Sequence, residues 1–123
     1  MREYVNAARA TLGLPTAPLD GVSHSGGYHA LAAAVRQVNL SGVGLLDSLY
    51  GEYMTFRSGK FSCLVDIYGN ETDDLSEQLK LATRSDPRFQ IARTSILHTE
   101  MPATYIRQLA FAFPTCGKVK VIS

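Results

Sequence analysis

Two β-prone runs, residues 53–57 (YMTFR) and 60–68 (KFSCLVDIY), are separated by only Ser58-Gly59. Two residues with a glycine are what a tight hairpin requires, and a tight hairpin pairs its strands antiparallel. This feature steers the reading of the whole second half. Phe61, Cys63, Val65 and Ile67 alternate with Ser62, Leu64, Asp66 and Tyr68, so the first set is predicted to face the core. A helix is predicted over about 73–84. Acidic residues sit near the positive end of its dipole, Leu75, Leu79 and Ala82 form a buried stripe, and Asp86-Pro87 stops it. Residues 89–97 then read as a strand and 98–102 as a turn. A second alternating run over 105–113 and a charged edge strand over 118–121 follow.

The first half reads as helical. Val5, Ala8 and Leu12 share a helical face that Gly13 and Pro15 end, and residues 15–28 (PTAPLDGVSHSGGY) read as a long loop. Leu31, Ala34, Val35 and Val38 follow the i, i+3, i+4, i+7 rule, which predicts a helix from His29 to Val38. Leu45, Leu46, Leu49 and Tyr50 suggest one more short helix. The fold class expected is therefore α+β. One domain spans 1–123: residues 1–50 are mainly helical, and 51–123 form a mostly antiparallel sheet with helices on one face. The order after the N-terminal helices is β-β-α-β-β-β.

With 123 residues and a net charge of +1, the chain suits one domain and is not a uniformly cationic nucleic-acid or membrane binder. The charge is unevenly placed. Residues 61–83 carry one basic and five acidic side chains, and residues 84–123 six basic and two acidic. Much of the acidic block belongs to one helix start and the basic block is spread over strands, which is ordinary capping and edge protection. Two cysteines, Cys63 and Cys116, make no disulfide framework. They are expected to be free thiols in a reducing cytosol, with Cys63 packed in the core. The N-terminus lacks a signal-peptide pattern, and no run approaches the roughly 18 apolar residues of a membrane helix. A cytoplasmic protein without a membrane partner is the expectation.

Residues 21–27 (GVSHSGG) invite a nucleophile-turn reading centred on Ser23, but Ser25 then stands where the second glycine belongs, and two prolines in 15–20 argue against a preceding strand. Small residues leading into a helix near Tyr28 also suit an anion, although no lysine makes a phosphate loop of them. Ser23, His24 and Ser25 are kept as partner-contact candidates. Residues 31–51 have a helix-turn-helix look, yet the second helix offers no base-reading donors. His24 and His29 lack the spacing of a metal pair, so neither metal nor cofactor is expected. The turns holding His98 and Cys116 are predicted at opposite strand ends, which separates them. Asp66 and His98 are the weak catalytic candidates, Asp66 as a base in a pocket under the helices. Arg88, Arg93, Arg107, Lys118 and Lys120 are candidate contacts to an acidic partner.

The function expected from these residues is that of a small non-catalytic binding or regulatory protein. It would act on another macromolecule, as an inhibitor or adaptor, or on its own copy. The alternatives are a nucleic-acid-associated regulator using the basic C-terminal strands and a small pocket enzyme with Asp66 as general base.

Overall fold

In the computed structural model, which describes residues 18–123, four strands form one sheet in the order β1-β2-β3-β4, every neighbouring pair parallel. They are β1 (Leu19–His24), β2 (Leu40–Leu46), β3 (Cys63–Tyr68) and β4 (Phe89–Arg93). Helix α1 (Tyr28–Gln37) joins β1 to β2, α2 (Tyr53–Ser58) joins β2 to β3, and α3 (Asp73–Thr83) joins β3 to β4. After β4 the chain makes a short 3-10 turn, His98–Glu100, and enters α4 (Met101–Ala112).

Parallel strands need a crossover, and here all three crossover helices lie on one face while α4, after the last strand, covers the other. Leu31 and Ala32 of α1, Phe56 of α2 and Leu79 of α3 pack with Val43, Leu45, Leu64 and Ile91 on one side. Met101, Tyr105, Leu109 and Ala112 of α4 pack with Leu46, Cys63, Val65 and Ile67 on the other. Burying such side chains is worth roughly 1.5–3 kcal/mol each and holds the three layers together.

The mostly antiparallel sheet with helices on one face is thus corrected, and each part has a physical reason. Strand β3 is buried along its whole length, so its outward-facing set Leu64, Asp66 and Tyr68 is as buried as the inward one. Residues 53–58 are helical, with Phe56 fully buried against the core, so Ser58-Gly59 ends a helix and turns no hairpin. Residues 47–50 of the stretch expected as a short helix form neither helix nor strand, and its Leu45 and Leu46 belong to strand β2. Its glycines let α4's end lie directly on the sheet, and a Cβ on Gly42 would come within 2.6 Å of Phe113 Cδ1. Residues 105–113 alternate in sequence yet fold mainly as α4. The buried set Met101, Tyr105, Leu109 and Ala112 recurs every three or four residues, while Phe111 is 86 % exposed. The expected loop over 15–28 contains β1, and residues 118–121 form no strand. Helices α1 and α3 lie where periodicity placed them. The helix expected over 2–14 lies outside the described residues.

The cysteines are joined. Cys63, at the start of β3, and Cys116, just after α4, form a disulfide with Cα atoms 5.3 Å apart, which corrects the expectation of two free thiols. The bridge ties the C-terminal segment to the amino end of the sheet. Among the described residues no helix is long and apolar enough to cross a membrane.

Candidate active site

A sheet of parallel strands gathers at one edge the residues that follow each strand, and that edge is where ligands bind in such folds. Here it brings together Ser25 after β1, Asp47 after β2, Gly69 after β3 and His98 in the turn beyond β4.

Ser25 has the left-handed backbone angle φ 57°, uncommon for a residue other than glycine. It stands between a strand and a helix in the pattern Ser23-His24-Ser25-Gly26-Gly27, small-x-Ser-x-Gly. A short 3-10 turn, Ser25–Gly27, carries the chain from β1 into α1 at this point. Gly27 keeps the turn tight, since a Cβ there would lie 3.4 Å from Ser23 Cβ. The turn is braced from below. The Ser48 hydroxyl donates to the Ser25 carbonyl at 2.7 Å and lies 2.8 Å from the Ser23 hydroxyl, with Ser23 and Ser48 both buried.

Asp47 also has a left-handed φ, 46°, so two of the four such non-glycine residues among the described residues belong to this edge. Its carboxylate is 1 % exposed and fully engaged. Oδ1 accepts from the Gly69 N–H at 2.9 Å and from the Thr72 hydroxyl at 2.8 Å, and Oδ2 accepts from His98 Nδ1 at 2.8 Å. Burial works to raise the carboxyl, but His98, Gly69 and Thr72 outweigh it and hold Asp47 below the ordinary carboxylate range. Thr72 stands at the N-cap of α3 and gives its hydroxyl to Asp47 rather than to the helix. Gly69 packs closely here, since a Cβ would lie 3.3 Å from Met101 Cε and 3.4 Å from Asp47 Oδ2.

With Nδ1 on Asp47, the His98 ring has Nε2 left for chemistry. The loop carrying it is anchored by Thr94, whose hydroxyl bonds Tyr105 and donates to the Ile122 carbonyl at 3.0 Å. His24, next to Ser25, lies against the same ring, with centroids 4.4 Å apart, and donates from Nε2 to the His98 carbonyl at 2.7 Å. The residue before Ser25 in the chain therefore touches the His98 turn. The Ser25 hydroxyl also reaches the Tyr50 phenol. Burial chiefly, then the Glu71 and Asp47 charges, push that phenol above its usual range, and the Ser25 bond works against them. Tyr50 donates in turn toward Glu71 at 3.4 Å.

A cleft of about 370 Å³ opens here, lined by Asp47, Glu71, Leu97 and His98 among others. A larger groove of about 570 Å³ between α1 and α2 has no histidine, cysteine or carboxylate in its walls, and the chemistry is not there. Among the described residues no three His, Cys, Asp or Glu side chains gather as a metal site.

Sequence reasoning named His98 and all three of Ser23, His24 and Ser25, and the fold brings them together. It did not name Asp47, which no local pattern marks, and the left-handed residue of the serine turn is Ser25. Asp66 lies elsewhere, wholly buried in β3 on the face covered by α3, with neither carboxylate oxygen hydrogen-bonded. Burial pushes it up to about 7, aided by the Asp47 charge. The basic residues are scattered. Arg88 pairs with Asp86 and lies over Phe61 and Phe89, and Arg93 pairs with Asp73 and Glu77. Arg107 is exposed on α4, and Lys118 and Lys120 are exposed beyond the disulfide. Comparison of the chain with protein-family models, curated proteins and solved structures returns no match.

Proposed function

We propose that the protein is a serine hydrolase acting by acyl transfer on esters, with Ser25 as nucleophile, His98 as general base and acid, and Asp47 as the carboxylate that orients His98. The observation that carries this reading is the strained Ser25 turn set beside an Asp47–His98 pair at the same sheet edge. The chain order Ser, Asp, His is one of the orders in which such triads occur, and it is the order found in α/β-hydrolases.

The proposed reaction has two halves. Ser25 Oγ attacks the ester carbonyl carbon while its proton passes to His98 Nε2. Asp47, held ionised by its three donors, stabilises the imidazolium through Nδ1–H. The oxyanion faces the backbone N–H that follows the nucleophile, that of Gly26, near the positive end of α1. The tetrahedral intermediate collapses, the alcohol leaves with the proton from His98, and an acyl-Ser25 ester remains. Water then attacks that ester, gives its proton to His98, and releases the acid with Ser25 restored.

We prefer this reading to that of a non-catalytic binding protein because a buried, ionised Asp47 holding a half-buried His98 beyond the strand ends is an arrangement that acid–base chemistry uses. It is also preferred to Asp66 as a base, since Asp66 is wholly buried within β3 and has no exposed surface to meet a substrate. Hydrolysis of p-nitrophenyl acetate tests it. The wild-type chain is expected to release p-nitrophenol faster than buffer, and Ser25→Ala to return the rate to background. Equal rates for the two would overturn the reading.

A further inference from the structure

We propose that His24 is a positioning residue, one that holds the His98 imidazole in the pose the Ser25 reaction needs. This inference rests on the serine-hydrolase reading of the site. A general base must keep one nitrogen on its carboxylate and the other in line with the nucleophile, and misplacement by about 1 Å can cost on the order of 10²-fold in rate.

His98 is poorly held by its own element. It opens a three-residue 3-10 turn, is only half-buried, and its ring makes a single side-chain hydrogen bond, to Asp47. One such bond fixes Nδ1 but leaves the ring free to rock about it. His24 supplies the two missing restraints. Its Nε2–H reaches the His98 carbonyl at 2.7 Å and pins the turn, while its ring lies against the imidazole at 36° between planes and blocks the swing to that side.

The restraint comes from the right place. His24 is the last residue of β1, inside the sheet pairing opposite Leu46, and its neighbours on either side are Ser23 and Ser25. The residue that fixes the base is thus covalently joined to the nucleophile and opposite the residue preceding Asp47. Ser25 and His98 are 73 positions apart in sequence, and the His24 side chain links the strand end that carries one to the turn that carries the other.

The test uses His24→Ala, which removes ring and donor, His24→Gln, whose side-chain amide can donate to the same carbonyl, and His24→Phe, which keeps a ring without a donor. Two readouts are taken on each folded variant: the rate of Ser25 labelling by a fluorophosphonate, and the far-downfield proton NMR signal of His98 Nδ1–H on Asp47. Labelling is expected to fall about 10²-fold in His24→Ala, with the proton signal broadened or lost. His24→Gln is expected to recover at least about tenfold of the rate together with the signal, and His24→Phe to fall between them. Should His24→Ala fail to fold, the Gln and Phe variants carry the comparison through their difference in the donor. Labelling and signal unchanged in every variant, with the wild type labelled at Ser25, would overturn the positioning role alone. A wild type that is not labelled at all would overturn the hydrolase reading instead.

Discussion

Asp47 and His98, 51 residues apart in sequence, meet through a 2.8 Å hydrogen bond between Oδ2 and Nδ1, one end of which is almost wholly buried. Everything around the pair acts to fix it. Gly69 and Thr72 occupy the other carboxylate oxygen, and a left-handed turn at Asp47 aims the side chain across the ends of the strands. Replacing Asp47 by Asn keeps the shape and removes the charge. The esterase rate of Asp47→Asn is expected to drop by about 10²–10⁴-fold, as for a triad whose histidine is held in the wrong tautomer. A rate within a few-fold of wild type would separate this pair from catalysis.

Ser48 supports the nucleophile from beneath, and Ser48→Ala removes the donor to the Ser25 carbonyl while leaving the Ser23 hydroxyl buried without its partner. A buried hydrogen bond lost in this way costs roughly 1–3 kcal/mol, to be read from the denaturation midpoint. The same variant is expected to be labelled more slowly at Ser25, since the turn carrying it relaxes.

Asp66 makes a prediction about pH. In the folded chain it keeps its proton up to about pH 7, against an ordinary value of 3.8, because burial, aided by the Asp47 charge, outweighs the weak help of the nearby Ser76 hydroxyl. The folded state then binds a proton that the unfolded state has released. The stability from this group is complete below about pH 4 and is lost as pH rises through about 7, a difference on the order of 4 kcal/mol. Asp66→Asn cannot ionise, so its unfolding free energy should gain on wild type between pH 4 and 7 and then run parallel. A difference that is constant across that range would contradict the account of Asp66.

The disulfide makes a prediction that separates stability from activity. It closes a loop of sequence separation 53 at the amino end of β3, away from the edge that holds Ser25 and His98. Constraining a loop of that length is worth about 4 kcal/mol in the chain-entropy account. The Cys63→Ala/Cys116→Ala double variant should unfold at markedly lower denaturant concentration while keeping its esterase rate at low temperature.

Packing of α4's end on the sheet depends on Gly42. A methyl there would lie 2.6 Å from Phe113 Cδ1 and 2.8 Å from Asp20 Oδ1, the oxygen that already accepts from the Gly42 N–H. Gly42→Ala is expected to cost about 1–3 kcal/mol of stability by overpacking.

What could be read in the chain and what could not divides along the range of the interactions. Helices α1 and α3 are written locally, in the spacing of Leu31 and Ala34 or of Leu75 and Leu79, and their bounds fall close to expectation. Strand direction is not written locally. Cys63 to Tyr68 pairs in parallel on both sides with strands 20 or more residues away, and a strand buried on two faces has no alternation that burial enforces. Glycines in β2 hid a strand because their purpose, room for Phe113 and Leu109, lies on the distant α4 side. The site divides in the same way. The serine turn carries a short pattern, legible once centred on Ser25, whereas the Asp47–His98 pair exists only after the parallel sheet has aligned its strand ends.

The most direct measurement of the central claim is mass-spectrometric mapping of fluorophosphonate labelling on the intact chain. The account predicts a single adduct on the peptide containing Ser25, absent from Ser25→Ala and strongly slowed in His98→Ala. A chain left unlabelled, or labelled equally well in the His98→Ala variant, would contradict it.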